Sequence, residues 1–369
     1  MQLAKSEKKA VMTPVAQVAT KIVVGLDVGD RKSHYCRLGQ DGDVSAEGSI
    51  LTKEAALREE FEGKVSMRIA LEAGSHSPWI SRLLAELGHE VIVANARNLR
   101  MIADSNAKND RADARMLARL ARVGPDLLSP IEHRSKDIQA DLSVIRAREV
   151  AVTARTKLIN SVRGFTKTFG HRLPSMDSGG FAAKALQACP PELREAIAPL
   201  LRLIGHLTTE IRGYDRIVTK KAKEKYPKTA AICSIPGVGA LTALTMVLVM
   251  NNDPKKFAKS RDAGSYFGLR PKQKDSGESS PQLGITKAGD HIFRRLVTQS
   301  AQYILGPFGK NCALRRWGQS LAARGGKNAK KRAVVAVARK LVVLMHRLWT
   351  TQQDFDPACG LKAELTAAA

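Results

Sequence analysis

Asp27 ends the apolar run "VVGLDVGD" and Glu72 ends "RIALEAG", at places where a buried strand would otherwise close on Val or Ile. A lone carboxylate is costly to bury unless it is paired or ligated. Two more acids, Asp110 and Asp113, stand three residues apart at the head of "KNDRADARMLARLARV". On a helix they share one face about a turn apart and repel. One account makes Asp110 a helix cap and Asp113 a first-turn charge, with Arg115, Arg119 and Arg122 solvating the rest. The other joins all four acids into a site for Mg²⁺, or Mn²⁺ in its stead, because hard divalent cations take carboxylate oxygens. Two such ions can stabilise both the attacking and the leaving oxygen of a phosphodiester displacement. In a chain of net charge +25 the metal account is the stronger. Asp30 reads as a turn residue, Asp104 as exposed, and His34 as a satisfied polar side chain rather than a ligand.

A second set of residues lies in the C-terminal third. "SIPGVGALTA" is similar to a helix-hairpin-helix signature, in which Gly237 and Gly239 let backbone amides approach a phosphate; the alternative is a tight turn between helices. Further on, "RPKQKDSGESSPQLGITKAGD" sets Arg270, Lys272 and Lys274 around Ser276 and Gly277, with Lys287 beyond. An exposed serine beside glycine is commonly loop chemistry. Its functional reading is a nucleophile activated to attack phosphorus, and composition does not select Ser276 over Ser279 or Ser280.

The elements that must position these residues follow from patterning. After a leader over residues 1–20 without clear period, "IVVGLDVG", "KSHYCRL" and "VSAEGSI" read as three strands joined by turns. "TKEAALREEFEG" then reads as a helix, "VSMRIALEAG" as a strand, "SPWISRLLAELG" as a helix and "HEVIVAN" as a strand, before the acid-headed helix. This is an α/β sheet domain ending near Pro130. From about Ser135 two long basic helices follow, the second expected to break near Pro199. They suggest an antiparallel hairpin or an intermolecular coiled coil. The last third is mainly helical.

Composition narrows the function. The 369 residues carry 60 Lys and Arg against 35 Asp and Glu, a balance that suits a polyphosphate partner. Aromatic residues are 5%, which favours backbone contact over base stacking. Five scattered cysteines form no CxxC and fit a reducing cytoplasm. The longest apolar run is too short to span a bilayer, so the expected anionic partner is nucleic acid and not membrane.

"GLDVGDRKSHY", "ALEAG", "NDRADARMLARL", "SIPGVGALTAL", "YFGLRPKQKDSG" and "ITKAGDHIFRRLV", in this order, resemble the insertion-sequence one-ten family of transposases, which includes the Piv-type DNA invertases. The "KQKDSG" form resembles the eleven-eleven branch. The resemblance implies an α/β RNase H-like, RuvC-like domain at 21–133 whose DEDD acids, Asp27, Glu72, Asp110 and Asp113, bind Mg²⁺. It implies a coiled-coil linker at 134–228, a transposase domain with a helix-hairpin-helix-like motif at 229–352, and a tail at 353–369. Its catalytic serine falls on Ser276; many relatives carry two serines before that glycine, and here Asp275 takes the first place. The family pattern further implies donor and target DNA, a structured noncoding guide RNA, dimers assembling into tetramers, and a cytoplasmic, nucleoid-associated location. In that picture Arg115 and Arg119 hold the phosphate backbone beside the acids.

The leading expectation is a Mg²⁺-dependent transposase or site-specific recombinase with a serine nucleophile. The alternatives are a metal-dependent nuclease or junction resolvase using water, a DNA invertase, and a non-catalytic nucleic-acid scaffold.

Overall fold

The computed structural model describes residues 21–96, 109–277, 279, 281 and 283–357. The leader, Asp104, Ser280, Cys359 and the tail beyond residue 357 lie outside the described residues. The chain divides into two compact units, residues 1–133 and 134–369.

The first unit is a five-stranded mixed sheet in the order β3-β2-β1-β4-β5. Its strands are β1 (Val23–Asp27), β2 (Lys32–Leu38), β3 (Val44–Leu51), β4 (Arg68–Glu72) and β5 (Glu90–Ala94). The first three form an antiparallel meander, and β1, β4 and β5 run parallel. Helices α1 (Glu54–Phe61) and α2 (Ser77–Glu86) cover one face of the sheet. Strand residues alternate between faces. Val24 and Leu26 of β1, with Ile69 and Leu71 of β4, therefore meet Leu57, Phe61, Ile80 and Leu84 on that side.

The opposite face carries helix α3 (Asp110–Val123). Its buried positions Ala114, Leu117, Ala118 and Ala121 recur at helical spacing and make one apolar stripe. Leu117 and Ala121 lie with Val23, Ala70, Ile92 and Ala94, while Ala114 and Ala118 lie with Cys36 and Leu38. Asn109 caps this helix, its side chain accepting from the Arg111 amide at 3.0 Å. Asp110 is thus the first helical residue and not the cap, because Asn109, one step earlier in extended conformation, already satisfies the amide in need.

The second unit is helical. Helices α4 (Lys136–Thr168) and α6 (Arg194–Glu224) form an antiparallel hairpin with α5 (Phe181–Ala188) near its closed end. Asp141 pairs with Lys221, Arg148 with Asp215, and Arg155 with Thr208, so polar contacts recur about every two turns down the seam. Pro199 does not break α6. It lies in the second turn, where its missing amide removes one hydrogen bond near the helix end. The connection between the long helices is no plain loop, since Phe181, Ala185, Cys189 and Leu193 bury themselves against Val162 and Ile197.

Beyond the hairpin come α7 (Thr229–Cys233), α8 (Ala240–Val249), α9 (Arg261–Tyr266), α10 (His291–Leu305), α11 (Ala313–Ala323) and α12 (Ala329–Thr351). They enclose a core that includes Trp349, Phe267 and Phe293, and α8 is buried along almost its whole length. No described helix is long and apolar enough to cross a membrane.

Candidate active site

Asp27 and Glu72 end neighbouring parallel strands. Leu26 is in register with Leu71, so the next residue on each strand is an acid, and both acids fall on the face that carries α3. The helix supplies the rest by periodicity. Asp110 stands one turn ahead of Ala114 and Ala118, and Asp113 one turn ahead of Leu117 and Ala121, so each acid continues a row that lies against the sheet.

What allows this approach is Gly25, two residues before Asp27 on the same face. A β-carbon there would stand 2.0 Å from the Ala114 carbonyl oxygen and 2.5 Å from the Ala118 amide nitrogen. The helix backbone therefore rests directly on the strand backbone. Glycine and two alanines set how near Asp110 and Asp113 come to the end of β1.

The electrostatic consequence falls on Asp27. Burial, followed by the negative charges of Asp110, Asp113 and Glu72, pushes its carboxyl up to about 6, with His34 acting in the opposite direction. Like charges crowded around a half-buried acid disfavour its ionised form. All four acids thus share one electrostatic neighbourhood. A divalent cation relieves such repulsion, and an all-carboxylate set is the donor chemistry that a hard cation takes. The side chains themselves stay apart: among the described residues no group of three or more His, Cys, Asp or Glu is gathered closely enough to hold a metal ion. The donor types fit a divalent metal; their convergence around one is not present in this conformation.

His34 belongs to the same neighbourhood. The hairpin pairs it directly with Asp27, its Nε2 lies 3.7 Å from Asp110 Oδ2, and its Nδ1 is buried without a hydrogen-bond partner. The sequence signal is the short turn "VGDRKS", which sets residues 27 and 34 opposite each other once both strands are accepted. Asp30 also has a partner: its carboxylate lies 3.2 Å from His76 Nε2, while His76 Nδ1 accepts from the Trp79 indole at 3.0 Å. This links the loops that follow β1 and β4.

The arginines of α3 are unequal. Arg115 forms a two-pronged ion pair with Glu47 of β3, which holds the Glu47 carboxyl below its usual range. Arg122 donates to the Gly39 and Gln40 carbonyls. Arg119 is exposed.

Ser276 lies in the second unit, at the tip of a narrow ribbon. Thr286 donates to the Arg270 carbonyl and Lys272 to the Gly284 carbonyl, and Ser276 and Ser279 exchange backbone hydrogen bonds of 3.0 Å. Gly277 closes the tip at φ +55°, with open space around it. At the base of the ribbon Gly268 and Gly289 let the turn after α9 and the segment before α10 pass closely, since a β-carbon on either would meet main chain at 2.3 Å. Ser276, Lys272, Lys274 and Lys287 are exposed, and Arg270 is hydrogen-bonded to Gln273. Gly237 adopts φ +86° against the Tyr303 ring, whereas Gly239 precedes α8 in extended conformation with open space where a β-carbon would stand.

Two family models match the chain, both of transposases. One, for a DEDD transposase domain, covers residues 24–169; the other, described as transposase IS116/IS110/IS902 family, covers residues 229–311. The chain is 31% identical over 331 residues to a putative transposase, y4pF/y4sB, of Sinorhizobium fredii, spanning 86% of this chain and 83% of that protein. It is 30% identical over 243 residues to the transposase for insertion sequence element IS1328 of Yersinia enterocolitica, spanning 63% of this chain and 70% of the relative. A pilin gene-inverting protein of Moraxella lacunata matches 130 residues at 27% identity, 35% of this chain and 39% of that protein. The class defined is that of transposases, enzymes that cut and recombine DNA. The chain belongs to the IS110 family among them. Its DEDD domain implies an RNase H-like fold, in keeping with a mixed five-stranded sheet followed by a mostly helical remainder.

Proposed function

We propose that the chain transposes DNA through two cooperating sites: the carboxylates Asp27, Glu72, Asp110 and Asp113, which hold divalent metal, and Ser276, which attacks the DNA backbone. The observation that carries this reading is the register of β1 and β4, which ends both strands on an acid on the face carrying α3, with Asp110 and Asp113 in the first turn of that helix; the Asp27 carboxyl, pushed up to about 6 by burial and by the three other acids, supports it. A bound Mg²⁺ or Mn²⁺ would supply Lewis-acid polarisation of a phosphoryl oxygen and neutralise developing charge. The protein's own part is to keep the acids near one another on a rigid sheet and helix, and to present DNA to them.

In the serine step the Ser276 Oγ–phosphorus bond forms as the bond from phosphorus to one deoxyribose oxygen breaks. The hydroxyl proton leaves the serine, and the freed sugar oxygen takes up a proton. The strand is then held as a phosphoserine ester, ready for rejoining to a second DNA end. The exposed ribbon tip and the basic residues Arg270, Lys272, Lys274 and Lys287 beside it suit this role, with Gly237 and Gly239 as further backbone contacts. The reading assigns one subunit's serine to another subunit's acids within a tetramer. A structured RNA as guide completes the reading, consistent with the excess of basic charge.

The test is incubation of the purified chain and its co-purifying RNA with end-labelled element-junction DNA, with Mg²⁺ or with EDTA. A Mg²⁺-dependent protein-linked DNA band should form, be absent with Ser276→Ala, and be absent with Asp27→Asn. Free cleaved ends without a protein link would replace the serine mechanism by a water-using nuclease. Inversion of a segment, and not its movement, is a second outcome favoured by the likeness to the pilin gene-inverting protein. A reporter flanked by two candidate ends separates the two, because inversion conserves the reporter at its locus.

A further inference from the structure

From residue 291 to residue 353 the chain contains thirteen Lys and Arg and no Asp or Glu. Several of these cations have local work. Arg295 pairs with Glu149, Arg315 donates to the Ile304 and Gly306 carbonyls, and Lys340 lies over the Trp317 ring at 4.0 Å. The densest group has little: within it, among the described residues, only Arg332 makes a hydrogen bond, donating to the Gly325 carbonyl at 3.5 Å. Arg324, Lys327, Lys330, Lys331 and Arg332 fall within nine residues at the turn joining α11 to α12, all are exposed, and none forms an ion pair among the described residues.

The turn is compact. Gly325, Gly326 and Asn328 take positive φ of 75°, 83° and 63°, so the chain reverses within four residues. Five cations are thereby crowded where neither neighbours nor helix polarity favour them. Lys327 stands just before the cap residue Asn328, at the end of the helix that repels positive charge. Lys330 and Lys331 occupy the first turn of α12, which has no acid, although the positive end of a helix favours negative residues. Folding by itself is poorly served by this arrangement; a polyanion would offset its cost.

The surface also shows which polyanion. Residues 324–332 include no large hydrophobic side chain that could insert into a lipid surface. The turn contains no aromatic residue on which unpaired bases could stack. Closely spaced point charges on a convex turn suit the regularly spaced phosphates of a double helix. The matched family models end at residues 169 and 311, so this turn lies outside both.

We propose that the α11–α12 turn, through Arg324, Lys327, Lys330, Lys331 and Arg332, is a sequence-independent docking surface for the phosphate backbone of duplex DNA. The proposal rests on DNA being the substrate of a transposase and not on Ser276 or the four acids. Its role is to hold flanking duplex while the reacting strands are handled elsewhere.

The experiment measures binding of the full-length chain carrying Ser276→Ala to a fluorescent random-sequence DNA duplex over a series of NaCl concentrations. EDTA is present throughout, so neither the serine step nor a metal-dependent nuclease cuts the duplex, and a failed serine mechanism leaves the measurement intact. In the same background Arg324→Gln, Lys327→Gln, Lys330→Gln and Lys331→Gln are combined. The slope of log affinity against log salt should become shallower by about 3 to 4, since each lost phosphate contact removes roughly 0.9. Affinity at low salt should fall at least about tenfold. A second variant, Lys327→Arg, Lys330→Arg and Lys331→Arg, keeps the charge and should keep the slope. An unchanged slope in the Gln variant overturns the proposal. So does an equal loss in the Arg variant, which would mean damage to the fold, or a loss confined to an RNA duplex of the same sequence.

Discussion

The acid end of the sheet and the serine ribbon are built by opposite means. Asp27, Glu72, Asp110 and Asp113 sit at the ends of regular elements whose backbones touch through Gly25 and whose side chains bury one another. Ser276 sits on an exposed tip held by a few main-chain hydrogen bonds and two close glycine approaches at its base. The first design holds charges near one another against their repulsion, which requires a stiff frame. The second presents a hydroxyl to a large substrate, which requires reach.

Substitutions at the two glycines nearest these sites sharpen the contrast. Gly25→Ala should have the largest effect. Its methyl group meets helix backbone, which has no rotamer through which to escape, so a loss of about 3 kcal/mol or more in the first unit is expected. Thermal unfolding of the variant, followed by circular dichroism, measures it; an unchanged midpoint would refute the close approach of α3.

Asp27→Asn should act in the other direction. A carboxyl that titrates near 6 when folded and near 4 when unfolded binds more protons in the folded state, so stability falls as pH rises from about 4 through about 6. Removing the charge should therefore stabilise the chain above pH 6 by about 1 to 2 kcal/mol, after allowance for solvent screening, and change little near pH 4. Melting temperatures at the two pH values check the sign. Excess Mg²⁺ should stabilise the wild type by about 2.7 kcal/mol at a hundredfold excess over its dissociation constant, and the Asn variant less.

Gly277→Ala should cost about 1 kcal/mol, because the left-handed conformation is disfavoured while the surrounding space is open. Protease cleavage at the ribbon should quicken with the overall fold unchanged. A loss as large as that at Gly25 would mean that the ribbon is no mere presenter. The smallest effect is expected for Arg115→Ala. Its ion pair with Glu47 is exposed to solvent on the arginine side, so stability should change little. A large loss of DNA affinity in that variant would show that Arg115 leaves Glu47 for phosphate.

Much of the first unit was readable from pattern. The strands and helices through residue 95 follow from apolar runs, alternation and turn residues, and the four acids stand out because each interrupts an apolar or basic context. The membership of Arg115 in an internal ion pair was not readable, since Glu47 lies 68 residues away and only strand order brings it near. Nor was the capping role of Asn109, which competes with Asp110 one residue later for the same amides. Local rules penalise proline inside a helix and so place a break at Pro199; packing of α6 along α4 outweighs one missing bond.

The sequence alone determined the element order, the excess of positive charge, and the acidic endings of β1, β4 and the α3 start, all of which depend on neighbouring residues. Only the tertiary structure decided that Gly25 would receive the α3 backbone, that His34 would face Asp27, that the basic loop would fold into a ribbon with Ser276 at its tip, and that Asp27 would titrate near 6. Those outcomes depend on register, close approach and mutual charge between residues far apart in the chain, quantities that no local pattern contains.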